Sequence, residues 1–215
     1  MPSDAADPAE GRVARRQRRV RGALIEAARA IMSEKGVDGA TMLEIAERAD
    51  VGAGTVYNYF KSKDELAVAV LEEMMHDLAQ RIEEVTNTFD DPAQVYAFGV
   101  RTVLETATRD PRWKQLLNRS EVLADATFRK MGPFAIRDLR QATQAGRFFC
   151  EDADLVWRMA THAIVGISLA VTSGAMSEDA LDEALVRLLC MTGIGIADAR
   201  DLANRPRPRL RPERG

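Results

Sequence analysis

The sequence predicts an all-α protein: an N-terminal three-helix domain with helix-turn-helix spacing, then a larger C-terminal helical domain, roughly nine helices in all. Three observations carry this. Runs rich in Ala, Leu, Glu and Arg place apolar residues at three-to-four spacing, and no segment alternates as a half-buried strand does. Helix starts and stops are marked by Ser, Thr or Asp caps, by prolines and by glycines. Between Thr41 and Lys63, two short helical segments flank a tight turn.

The elements follow in order. Val20, Leu24, Ala27, Ala28, Ile31 and Met32 form one apolar stripe, which Gly36 stops. Thr41-Met42-Leu43-Glu44 has the form of a capping box, with the Thr hydroxyl on the third amide and Glu reaching back. The short helix after it turns Ile45, Ala46 and Ala49 inward. Asp50-Val51-Gly52 is a turn, and a second short helix runs from about Ala53 to Phe60. Ser62 to Glu65 is another capping box, opening a long helix to about Asn87. Asp91-Pro92 and Asp110-Pro111 each set an N-cap acid before a proline at the first helical position. Gly132-Pro133 likewise is expected to open a helix ending near Gly146. Asp152 or Asp154 begins a strongly apolar helix that stops at Gly174. Ser177 caps the next, which carries Leu181, Leu185, Leu188 and Leu189 on one side. The expected organisation is a disordered arm over 1–14, the helix-turn-helix domain over 15–62, a helical regulatory domain over 63–204 and a frayed Pro/Arg-rich tail over 205–215.

Composition narrows the function. With 215 residues, 46% hydrophobic and 29% charged, the chain can bury a sizeable core and is not disordered throughout. Asp154 and Trp157-Arg158 interrupt the best candidate for a membrane span. The segment Met1 to Glu10 is acidic and proline-containing, unlike a secretory signal. Cys150 and Cys190 alone make neither a disulfide framework nor a structural zinc site, which suits a cytoplasmic protein with reduced thiols. Buried free cysteine is the commoner role, with thiol sensing the alternative. Only His76 and His162 are present, and there is no Gly-rich phosphate loop, nucleophile elbow or metal-spaced ligand set. No enzyme, cofactor or metal is expected.

The net charge of −3 conceals an asymmetry. Arg12, Arg15, Arg16, Arg18, Arg19 and Arg21 fall close together with no acid between them, whereas residues 66–204 are acidic. Such a cluster is the footprint of a polyanion partner, attached here to an acidic body.

The second short helix is unusual for a core helix. In Gly54-Thr55-Val56-Tyr57-Asn58-Tyr59-Phe60, Val56 and Phe60 lie one turn apart and can pack inward. Thr55, Tyr57, Asn58 and Tyr59 then spread over the outward arc, where hydroxyls and an amide can bond phosphates or base edges. The glycine permits close backbone approach, and Lys61 and Lys63 just beyond suit phosphate.

The segment GATMLEIAERADVGAGTVYNYFKSKDEL resembles the DNA-binding signature of the TetR/AcrR family of transcriptional repressors, including its GTxYxxF core at Gly54, Thr55, Tyr57 and Phe60. The likeness is dense from about Arg19 to Leu71; the body is similar only in outline, with GIGIADARDLANRPRP resembling the closing segment of many members. The resemblance implies a cytoplasmic homodimer on double-stranded operator DNA, each subunit placing its reader in the major groove of a palindrome, until a small-molecule effector in the body releases it. By position, Thr41 would hold a phosphate at the N-terminus of its helix, helped by the dipole. Ala53, Gly54, Thr55, Tyr57 and Asn58 would lie nearest bases, and Tyr59 and Lys63 would hold phosphates. Arg16 and Arg19, with Arg15 and Arg18, would reach backbone or minor groove.

Four positions depart from the family pattern. Gly52 stands where Ser is frequent, Ala53 where a long polar residue is frequent, Leu43 where Arg is common and Asp50 where Gly is frequent. Few long side chains are left for base reading, so specificity leans on Tyr57, Asn58, thymine contacts and DNA shape.

The two C-terminal apolar helices, about Asp154–Ser173 and Glu178–Met191, are expected to pair with their copies in a four-helix bundle, as family members do; small residues Gly166, Ser168 and Ala170 favour close approach. Hydrophobicity alone allows them equally to be core of one subunit. Candidates for lining an effector pocket are Phe98, Trp113, Phe128, Met131, Phe134, Trp157 and His162, although such residues at helical spacing more often serve the core. They suggest a largely apolar ligand. A helical protein-interaction module without specific DNA binding is the rival class; it leaves the outward Tyr, Thr and Asn and the arginine cluster unexplained.

Overall fold

Nine α-helices and no strand occur among the described residues, 11–110 and 120–211 of this computed structural model. They are α1 (Arg12–Gly39), α2 (Met42–Arg48), α3 (Ala53–Tyr59), α4 (Lys63–Thr86), α5 (Pro92–Arg109), α6 (Ser120–Gln144), α7 (Ala153–Thr172), α8 (Leu181–Cys190) and α9 (Ile196–Asn204). A single 3-10 turn, Glu178–Ala180, leads into α8. Two compact units divide between Val70 and Leu71, inside α4 rather than at its start. Arg12 to Ala14, expected in the arm, are already the first turn of α1.

In the first unit, Leu24 and Ala28 of α1, Ile45 and Ala46 of α2, Val56 of α3 and Phe60 are fully buried. These are the inward positions of the periodic pattern. Gly36 leaves helical geometry at φ 78°, the break expected of it, and one further turn runs to Gly39.

In the second unit α5 is central, packed by α6, α7, α8 and α9. Tyr96, Phe148 and Trp157 are among its largest fully buried side chains. The buried hydroxyls of Thr102, Thr108 and Thr127 each donate to the carbonyl four residues back, so they carry no unmet polar cost.

Four expectations are corrected here. Pro133 does not open a helix; it lies inside α6. The proline ring is exposed, while Leu123, Ala124, Ala126, Thr127 and Met131 before it and Leu139 and Ala142 after it are buried. Packing on both sides outweighs one missing backbone bond. Second, α7 is long and apolar enough, by length and composition, to cross a membrane, since only Asp154 and Arg158 interrupt its 20 residues. One side of it packs on α5 and α6. Third, the leucines of α8 are not a surface: Leu181, Leu185, Leu188 and Leu189 are all buried within this subunit, and Ser168 is buried against Thr108 at 3.1 Å. Fourth, residues 205–211 of the tail are not frayed. Arg205 bonds Asp91 and Asp201, Arg207 reaches Glu105 and Asp182, and the Arg211 carbonyl accepts from Arg81 Nε at 2.8 Å. The tail's arginines answer the acidic body.

Asp91 is the hub of this unit. Its carboxylate caps α5 by accepting from Ala93 N at 3.0 Å, takes two bonds from Arg147 at 3.1 and 3.0 Å, and one from Arg205 at 2.7 Å. Partial burial pushes its pKa up, but the bonds from Arg205, Arg147 and Ala93 outweigh this and hold it below the ordinary 3.8. Asp91→Ala is expected to cost about 2 kcal/mol, from a lost cap and lost charged hydrogen bonds. Because the folded pKa is the lower one, this contribution is full above the unfolded value of 3.8 and is lost as pH falls through the folded value. Thermal unfolding of both proteins between neutral and strongly acidic pH checks this. A gap between them that stays constant down to the lowest pH contradicts it.

Candidate nucleic-acid interface

The first unit presents α3 as an amphipathic helix with its polar side outward. Val56 and Phe60 are 0% and 2% exposed, whereas Tyr57 is 57% exposed; Asn58 is exposed, and Thr55 and Tyr59 are half-buried. Four groups able to bond bases or phosphates thus share one surface, held by two buried anchors. Ala53, Gly52 and Gly54 open this helix and are exposed. A Cβ at Gly54 would meet nothing within 4 Å, so nothing inside the subunit requires glycine there. Glycine within a helix costs about 1 kcal/mol relative to alanine, and here it leaves the backbone open to the surface.

The turn before α3 needs a left-handed residue, and Asp50 takes that role at φ 53°. Gly52 caps α3 with no side-chain bond. Leu43, at 57% exposure, stands outward at the start of α2. With Tyr57 it gives this unit apolar surface that the subunit itself does not cover.

Two predicted phosphate ligands are already engaged. The Thr41 hydroxyl accepts from Glu44 N at 3.2 Å and donates to Glu44 Oε2 at 2.9 Å, while the same carboxylate accepts from Thr41 N at 3.1 Å. Glu44 is also paired with Lys35, and its pKa is lowered first by that bond and then by Thr41. The first turn of α2 therefore already carries an anion, which a phosphate must displace or avoid. Lys63 donates to the Asp38 carbonyl at 2.8 Å; an ammonium has three donors, so two are left for an outside acceptor. Arg16 and Arg19 are exposed on α1, and Arg21 lies over the Phe60 ring at 5.2 Å.

The second unit holds a cavity of about 330 Å³, including the part open to solvent. Three of the expected lining residues meet there: Met131, Phe134 and Trp157. Phe98 is instead buried edge-on against Phe89 at 5.6 Å. Phe128 lines a separate open groove, with Arg158 over its ring at 3.9 Å. His162 is exposed on α7 and bonded to the Arg158 carbonyl. Trp113 lies outside the described residues. The cavity adds residues outside the expected set, among them Ile82, Val103, Tyr96 and Asp138. Asp138 had a readable signal: it falls seven residues after Met131, on the buried stripe of α6.

Cys150 is buried, and burial with the nearby Asp152 carboxylate pushes its thiol pKa up. Both effects disfavour the thiolate. No group of three or more His, Cys, Asp or Glu side chains among the described residues is placed to hold a metal.

Known proteins agree with this geometry. Residues 24–70 match the family model described as bacterial regulatory proteins, tetR family, and residues 91–205 match the tetracyclin repressor-like C-terminal domain. The transcriptional repressor KstR of Mycolicibacterium smegmatis is 33% identical over 117 residues, covering 54% of this chain and 56% of KstR. The transcriptional activator FasR of the same organism is 29% identical over 140 residues, covering 64% of this chain and 59% of FasR. The chain thus spans a little over half the length of these curated relatives. Among solved structures, RolR in complex with resorcinol superposes with a TM-score of 0.81 at 31% identity, covering 92% of this chain and 100% of that one. Its relatives are regulators and not enzymes, both domain models match in their proper order, and the second alone spans more than half of the sequence: the chain belongs to the TetR family of helix-turn-helix transcriptional regulators.

Proposed function

We propose that this chain is a homodimeric, cytoplasmic repressor that binds a palindromic operator through α1, α2 and α3 and leaves it when a small, largely apolar ligand occupies the cavity of the second unit. The observation that carries the reading is α3, whose Val56 and Phe60 anchor it from within while Tyr57 and Asn58 stand in solvent. Tyr57, Asn58, Thr55 and the exposed backbone at Ala53 and Gly54 read bases; Tyr59, Lys63, Arg16 and Arg19 hold the DNA backbone. Thr41 acts first as the cap of α2 and reaches a phosphate only if its hydroxyl leaves Glu44. The homodimer reading is supported by one face of α7, where Leu155, Met159, His162, Gly166 and Leu169 recur at helical spacing and all lie exposed. The outer side of α8, with Glu183 and Arg187, supplies a charged rim. Repression is favoured by the KstR relatives, while FasR shows that an activator is built on related sequence. An effector in the cavity is supported by its mostly apolar lining and by RolR, solved with resorcinol.

The test is footprinting of DNA upstream of the chain's own gene across a salt series. A protected palindrome whose affinity falls as salt rises supports the reading. Asn58→Ala is expected to change base preference, while Lys63→Ala weakens all sequences alike and flattens the salt dependence by about one unit of slope. Identical behaviour of the two variants contradicts the division of roles, and an absence of any protected site in folded dimer contradicts operator binding there.

A further inference from the structure

The cavity has one polar corner. Tyr96 is 2% exposed, and its hydroxyl is the one buried side-chain polar atom among the described residues left without a hydrogen-bond partner. Its ring is fixed edge-on against Phe148 at 5.7 Å, so the hydroxyl does not swing out to find water. Asp138 lines the same cavity at 7% exposure. Both bonds from Arg137 end on its Oδ1, at 3.0 and 2.9 Å, and Oδ2 is not engaged by them. Burial pushes the Asp138 carboxyl up, first by desolvation and against the pull of Arg137. The rest of the lining is apolar: Ile82, Val100, Val103, Met131, Phe134 and Trp157.

An orphaned buried hydroxyl is a standing cost unless something else satisfies it. We infer that Tyr96 and Asp138 form a reader for one hydroxyl group, and that the ligand is a neutral, largely apolar compound carrying it, such as a phenol or cyclic alcohol. The ligand hydroxyl accepts from the Tyr96 O–H and donates to Asp138 Oδ2. The inference deepens the reading that this cavity is the effector site and rests on it. Of the 330 Å³, only about 30 Å³ is room for a water-sized group, so a ring enters only as half-buried Phe134 and Ala135 shift outward. Charge excludes anions, because a ligand carboxylate would be buried beside Asp138 and against a donor-poor apolar wall. Acyl chains with anionic heads therefore do not fit this corner.

Calorimetric titration of the full-length protein with phenol, toluene and benzoate tests this, with Tyr96→Phe and Asp138→Asn alongside. Phenol is expected to bind at least about tenfold more tightly than toluene, and benzoate to give no binding. Tyr96→Phe is expected to abolish the phenol preference while leaving toluene binding unchanged, and to unfold at a higher temperature than wild type without ligand, since it removes an unsatisfied group. Asp138→Asn is expected to narrow the same preference and to admit benzoate. Equal binding of phenol and toluene, unaffected by either substitution, overturns the hydroxyl reader yet leaves the cavity as a ligand site. No heat with any of the three, in protein that still protects its operator, overturns the effector cavity and the reader together. A preference for benzoate overturns the charge argument.

Discussion

Replacing Phe60 with alanine is expected to unfold the first unit while the second stays folded. Phe60 is 2% exposed and closes α3, its amide donating to the Val56 carbonyl at 2.9 Å. Its ring completes the core made by Leu24, Ile45 and Val56, under the Arg21 guanidinium. Truncating a buried phenylalanine costs about 3–5 kcal/mol. A domain of some 60 residues is marginal to begin with, so this is most of its stability. Circular dichroism at 37 °C should show a partial loss of helix, calorimetry a low-temperature transition absent from wild type, and DNA binding should vanish for every sequence. Tyr57→Ala is the control: 57% exposed, it should lose operator affinity with the melting curve unchanged. A Phe60→Ala protein that melts as wild type would mean that the anchors of α3 are assigned wrongly.

The second large effect is expected from Met159→Asp. Met159 is 43% exposed in the centre of the uncovered face of α7, between Leu155 at 53% and Leu169 at 39%. Within one subunit a carboxylate there is solvated and harmless. In the proposed homodimer it is buried twice, once per subunit, and an unpaired buried charge costs several kcal/mol. Sedimentation velocity at micromolar concentration should find monomer where wild type is dimer. Operator affinity should fall more than about 100-fold, since each reader alone then holds only a half-site. The melting of the monomer should change little. Dimers with full operator affinity would show that α7 does not pair the subunits, and the stripe would need another partner.

These two residues mark where sequence reasoning succeeds and where it needs the tertiary structure. That Phe60 is an anchor follows from its place one turn after Val56. Local rules of the same reach found the caps: Thr41 with Glu44, Asp91 before Pro92, Asp152 at the start of α7 and Ser177 before the 3-10 turn each bond an amide within three residues. The turn residue Asp50 belongs with them. Such features were legible because donor and acceptor lie in one short stretch, and the proposed DNA-facing surface is built from such stretches.

The second unit was less legible. Apolar content made α7 and α8 look alike, yet α8 turns its leucines into its own core while α7 keeps a stripe uncovered. Periodicity says that a helix has an apolar side; it does not say which neighbour meets that side. Pro133 obeyed the local rule for a helix start and was overruled by packing on both sides of it. Tyr96 and Asp138 carry no local signal of a pocket, because an orphaned hydroxyl exists only once the surrounding helices are in place. The tail's arginines looked like loose charge until Asp91, more than a hundred residues earlier, was found opposite Arg205. The sequence by itself therefore determined the family, the helix-turn-helix and the residues turned outward on α3, since these follow from spacing within a few turns of chain. Only the tertiary structure decided which apolar faces are covered, which polar groups are left unmet and where a cavity lies, because each of those depends on groups that sequence distance does not bring together.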